Sequence, residues 1–85
     1  MHEKWVIGIH ITNREHDSAR VQYTLTKFGC SIRTRFGINE DKDTGTLGHG
    51  LILLELSGHP SEFIKLMEEL QRIDGIEVKK MVFSH

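Results

Sequence analysis

At 85 residues the chain has room for one domain, 1–85, and a domain of that size buries only roughly 60% of the surface its unfolded chain exposes. With 38% hydrophobic and 27% charged residues it has the make-up of an ordinary soluble globule with a thin core. A formal net charge of −1, with no dense Lys/Arg cluster, supplies no long-range pull toward nucleic acid or an anionic membrane.

Trp5, Ile7, Ile9 and Ile11 recur at period two and predict a first strand over 5–12, with Val6, Gly8, His10 and Thr12 on the other face. The polar run from Asn13 to Ser18 predicts a turn, with Asp17 or Ser18 capping a helix that reaches about Lys27. Val21, Leu25 and Phe28, spaced by four and three, mark its apolar side. Gly29 follows, a residue suited to the left-handed stop of a helix.

A second strand is expected over 30–38, where Ile32, Thr34 and Phe36 alternate with Arg33, Arg35 and Gly37. That alternation predicts one cationic face. The stretch from Asn39 to Gly48 is polar and glycine-containing, hence a loop, and a long one for a hairpin. Gly50 to Leu56 predicts a third strand apolar enough to be covered on both faces. Pro60 suits the first position of a second helix, and Glu62 favours its positive start. Phe63, Leu66, Met67, Leu70 and Ile73 form its apolar stripe, and Asp74-Gly75 ends it. Ile76 to Phe83 predicts the last strand.

The order strand, helix, strand, strand, helix, strand predicts an α+β, ferredoxin-like βαββαβ domain. Its sheet is four-stranded and antiparallel, with two helices on one face. Strands one and three, the most apolar, take the centre, and the charged strands two and four take the edges. The uncovered face then carries Val6, Leu51 and Leu53, which predicts self-association through that face or an edge strand.

Little in the chain suits catalysis. Cys30, the one cysteine, lies just after a helix C-terminus, where the dipole disfavours a thiolate; it is expected to be a small buried thiol. Alone it closes no internal disulfide, which fits a reducing cytoplasm. The start of the chain lacks a signal-peptide pattern, and no apolar run approaches the ~20 residues of a membrane helix. The six histidines, His2, His10, His16, His49, His59 and His85, include no close helical pair, so no metal and no cofactor is expected. Cys30, His10 and His49 converge on a metal only if tertiary or quaternary geometry gathers them. Gly45, Gly48 and Gly50 precede a strand rather than link a strand to a helix, so they read as loop and not as a dinucleotide cradle.

Two groups remain as candidate ligand sites. Arg33 and Arg35 on one strand face can grip a carboxylate or phosphate bidentately, with Gly37 admitting a close approach. Their structural alternative is a solvated edge whose arginine stems cover apolar surface. Asn13 and Arg14 lie in the polar turn between the first strand and the first helix, where free N–H groups at the helix start receive anions; simple capping is the alternative there.

Three stretches, I-R-T-R-F-G-I after the first helix, L-I-L-L-E-L-S-G in strand three and I-D-G-I-E-V-K near the end, resemble the iron-only hydrogenase system regulators. These are small stand-alone proteins of ACT-like fold. The chain is also similar to the C-terminal regulatory domain of the nickel-responsive repressor. That resemblance implies an ACT-like regulatory module, but the repressor's strand-two histidines are matched here by Arg35 and Gly37, and its strand-three cysteine by His49 or Gly50. The first loop also lacks the D-x-P-G-like pattern of amino-acid-binding ACT domains, and it lacks the paired cysteines of copper chaperones. An acylphosphatase-like reading finds Arg14 but no glycine-rich cradle around it.

The sequence therefore predicts a cytoplasmic, non-enzymatic ACT-like module that senses a small molecule as a homo-oligomer, a dimer or tetramer. It binds neither nucleic acid nor membrane directly, and it regulates transcription or a hydrogenase system. The alternatives are an assembly module without a small ligand and a metal sensor built from interface histidines.

Overall fold

The computed structural model describes residues 3–12, 14–38 and 50–84, with 14–18 described by their backbone alone. Chain order is β1 (Glu3–Ile11), α1 (Arg14–Lys27), a 3-10 turn (Gly29–Ser31), β2 (Ile32–Ile38), β3 (Leu51–Leu56), α2 (Pro60–Gln71) and β4 (Ile76–Ser84). The strands form one antiparallel sheet in the order β2-β3-β1-β4. This is the ferredoxin-like, ACT-like arrangement that the element order predicts, with the two most apolar strands at the centre.

One face of the sheet carries the core. Trp5, Ile7, Ile9 and Ile11 of β1 and Ile52, Leu54 and Leu56 of β3 are buried there. Period-two alternation puts each set on one side of its strand. Against them pack Val21, Leu25 and Phe28 from α1 or just after it, and Phe63, Leu66, Leu70 and Ile73 from α2 and its C-terminal turn. Trp5 and Phe63 meet with ring centroids 5.4 Å apart and planes tilted by 56°, an arrangement favoured by the ring quadrupoles. On the exposed side of Trp5, Lys80 Nζ lies 4.6 Å from the ring centroid, so a charged edge residue roofs the core.

Several local expectations are corrected. Helix α1 begins at Arg14, so most of the run read as a turn is helical, and Asp17 and Ser18 lie inside the helix rather than capping it. The run Arg14 to Ser18 holds no glycine or proline to stop a helix, and polar residues suit turns outside the apolar stripe. After α1, Gly29 does not adopt a positive φ. The chain turns through the 3-10 segment instead, with the Ser31 N–H donating to the Phe28 carbonyl at 2.9 Å. Cys30 sits in that turn and is exposed, not a buried thiol in a strand. Gly75 does take a positive φ, 81°, between α2 and β4, and its carbonyl accepts from the Thr12 N–H at 2.8 Å, tying the turn to the end of β1.

Strand β2 departs most from the simple alternation. Ile32 pairs with Leu56, but Thr34 pairs with Glu55, so the register shifts by one residue between them. Such a bulge reverses which residues face which side. Ile32 therefore packs against the core, while Thr34, Phe36 and Ile38 lie on the open face. The expected single cationic face is broken at this point.

Candidate functional site

The sheet face away from the helices is left uncovered among the described residues. Pairing register lays it out in rows, because directly paired residues share a face. One row runs Ile38, Leu51, His10, Glu77; the next Phe36, Leu53, Gly8, Lys79; the third Thr34, Glu55, Val6, Met81. Lys4 and Phe83 follow. Phe36, Met81 and Phe83 are 58%, 55% and 51% exposed, large apolar side chains left in water on one face. Val6, Ile38, Leu51 and Leu53 beside them are half-buried.

Charge on this face is of both signs. Lys4 Nζ and the Thr34 hydroxyl both donate to the Glu55 carboxylate, the latter at 2.9 Å. These two hydrogen bonds, with the charges of Lys4 and Arg33 nearby, hold the Glu55 carboxyl below its ordinary range. On β4, Lys79 Nζ lies 3.6 Å from Glu77. Between the two charged pairs Gly8 has no side chain, and a shallow hollow of about 220 Å³ opens there, edged by His10, Leu51, Glu77 and Lys79.

The sequence candidates are placed as follows. Arg35 lies opposite Leu54 at the sheet edge, and its guanidinium donates to the Gln22 side-chain carbonyl on α1. Gly37 lies opposite Ile52 on the same side and is half-buried. Arg33 sits in the bulge, with its charge acting on Glu55. The two arginines are thus engaged by different neighbours and do not form one fork. Arg14 opens α1 with its side chain outside the described residues; Asn13 lies outside them altogether, as do the loop 39–48, His2, His49 and His85. His10 is on the open face, and His59 precedes α2 in extended conformation. Among the described residues no three His, Cys, Asp or Glu gather as metal ligands, and no helix is long and apolar enough to cross a membrane.

Sequence reasoning singled out Val6, Leu51 and Leu53 on this face but not Phe36, Met81 and Phe83. Met81 and Phe83 follow from period two in β4 once its pairing with β1 is known. Phe36 needs the bulge.

Comparison with known structures supports the fold. An uncharacterised protein of Thermotoga maritima superposes with a TM-score of 0.80 at 21% identity, covering 98% of this chain and 100% of that one. The ACT domain of the GTP pyrophosphokinase of Chlorobium tepidum matches with a TM-score of 0.62 at 16% identity, over 93% of this chain and 96% of the domain. A PII-like signalling protein of Thermus thermophilus matches with a TM-score of 0.54 at 11% identity, over 98% and 91%. The sequence matches no protein-family model and no curated protein.

Proposed function

We propose that this chain is a small regulatory, ligand-sensing module that works as a homo-oligomer, its copies joined through the open sheet face. The observation that carries the reading is the set of large apolar side chains left more than half exposed at both sides of one face, Phe36 on β2 and Met81 and Phe83 on β4, flanking half-buried Val6, Leu51 and Leu53. A monomer of this size keeps such a patch at a cost in solubility, and patches of this kind mark interaction surfaces. The occupant we assign is a second copy. The face carries Lys4 and Lys79 as well as Glu55 and Glu77, so it can meet its own image with charges matched. The likeness to an ACT domain and to a PII-like signalling protein supports a regulatory role.

In this reading the ligand-facing groups are Asn13 and Arg14 at the start of α1 and Arg33, Arg35 and Gly37 on edge strand β2. The two arginines act from separate positions. A ligand that binds one packing of protomers more tightly shifts the population toward it. The regulated process we assign is transcription or a hydrogenase system, as the sequence resemblance implies, and the compartment is the cytoplasm.

Native mass spectrometry of protein purified without added metal or chelator tests this reading. An oligomer carrying a small organic mass is the expected outcome. A bare oligomer favours an assembly module, a metal mass favours a sensor built on interface histidines, and a bare monomer removes the reading.

A further inference from the structure

The helix layer holds a larger depression than the hollow on the open face. Lys27 Nζ bonds both Glu69 carboxylate oxygens, at 3.1 and 2.9 Å, and so pins the end of α1 to the last turns of α2. From that bond toward the start of α1 a groove of about 440 Å³ lies between the two helices. Ala19 presents only a methyl group to it, which leaves the space open. Buried Thr24 and Ile73 form its base. Arg20 and Tyr23 from α1 and Arg72 just beyond α2 form its sides.

Ligand clefts are commonly ~300 Å³ or more. This groove clears that size, and the hollow at Gly8, at about 220 Å³, does not. The chemistry of the groove is one-sided. Two guanidinium groups and a phenol supply donors, and neither Arg20 nor Arg72 has an ion-pair partner among the described residues. Glu69, the one acid lining the groove among the described residues, is already held by Lys27. The negative end of the α2 dipole explains a cation at Arg72, but Arg20 lies in the body of α1 and is not explained that way. Tyr23 is 72% exposed, with its ring beside both arginines' groove.

We infer that this groove binds a small organic phosphate bearing a planar ring, a ligand of mononucleotide size. The guanidinium groups of Arg20 and Arg72 hold the phosphate, because their planar forks match its oxygens. The Tyr23 ring stacks on the planar group. A bare phosphate fills too little of the groove, and a neutral ring leaves both cations unanswered. The site lies on the helix side of the sheet, away from the face assigned above to self-association, so it goes beyond that reading and does not depend on it.

The test is a titration of the full chain, followed by amide NMR shifts, with adenosine 5′-monophosphate, adenosine and inorganic phosphate as separate probes. The expected result is saturable shifts with the nucleotide at Ala19 to Thr24 and at Arg72 and Ile73, and far weaker ones with the other two probes. R20Q and R72Q should each weaken nucleotide binding by about tenfold or more, and Y23L should weaken it less. All three positions are exposed, so melting temperatures should hold. Adenosine or inorganic phosphate binding as tightly as the nucleotide overturns the inference. So do saturable shifts confined to the sheet face, binding unchanged in the R20Q/R72Q double variant, and no saturable shift at millimolar nucleotide. A monomer that binds nucleotide in the groove removes the assembly reading and keeps this one; an oligomer without nucleotide binding does the reverse.

Discussion

Glu55 sits among charged and polar groups on the open sheet face, and its environment sets a pH response. Lys4 and Thr34 both donate to its carboxylate, and the charged form is favoured. A carboxyl whose value is lowered on folding stabilises the native state at higher pH, and that stabilisation fades as pH falls through its folded value. The native state should therefore lose stability below about pH 4.5, the ordinary carboxylate value. Denaturant unfolding followed between about pH 6 and about pH 3 should show a shallower acid decline in Lys4→Met than in the native chain. Salt should shrink the difference, since Lys4 is partly exposed. Two glycines give opposite expectations at this same scale. At Gly75, with φ of 81°, Gly75→Ala should destabilise by about 1 kcal/mol or more in a denaturant melt. At Gly8 a Cβ meets Leu53 Cδ2 at 3.5 Å, an ordinary contact, and the backbone is extended β. Gly8→Ala should therefore leave the fold intact and raise its stability by up to ~1 kcal/mol.

At the scale of elements, α2 shows how one stripe carries a helix. Leu66 is fully buried in the core, whereas Ile64, two residues earlier, is half exposed. Leu66→Ala should cost ~2–5 kcal/mol, a large part of the ~5–15 kcal/mol that holds a small domain together. Ile64→Ala should stay within about 0.5 kcal/mol, and thermal melts of the two variants check the contrast. Such stripes were legible in the sequence because the spacing of Phe63, Leu66, Leu70 and Ile73 has a single physical reading. The faces of β2 were not. Period two is strict only while every residue pairs, and the extra residue between Ile32 and Thr34 exchanges the faces beyond it. That shift splits Arg33 from Arg35 and turns Phe36 outward, so the candidate fork dissolved and a hydrophobic surface appeared. The start of α1 was missed for a different reason. Polar residues in Asn13 to Ser18 fit a turn and an exposed helix start equally well, and only the backbone decides between them. The groove between the helices combines Arg20 and Tyr23 with Arg72, residues about fifty positions apart in the chain, and no local pattern joins them.

At the scale of the whole molecule, the sheet is covered on one side only. All fourteen buried apolar residues named as core lie on or toward the helix side, and the other side offers Phe36, Met81 and Phe83 to water. Burial is worth roughly 25 cal/mol per Å² of apolar surface, so a second copy laid on this face recovers stabilisation the thin core lacks. Association must still offset the lost freedom of two bodies, ~4–15 kcal/mol, which makes the centre of the patch decisive. Phe36→Glu and Met81→Glu place a charge on the two sides of that patch, on edge strands β2 and β4, without touching the core. Each should move the sedimentation profile of a micromolar sample from oligomer to monomer and leave the melt of the monomer within about 1 kcal/mol of the native chain. Ile64→Glu, an equal change on the helix side, should leave the oligomer whole. Gly8→Ala adds the finer check, because it fills the hollow beside Leu51 and Lys79 while preserving the fold. If a side chain of the second copy seats there, Gly8→Ala weakens association even as it stabilises the protomer. An oligomer that survives Phe36→Glu and Met81→Glu but dissociates with changes on β2 or β4 outward edges assigns assembly to edge pairing, and the open face loses its role.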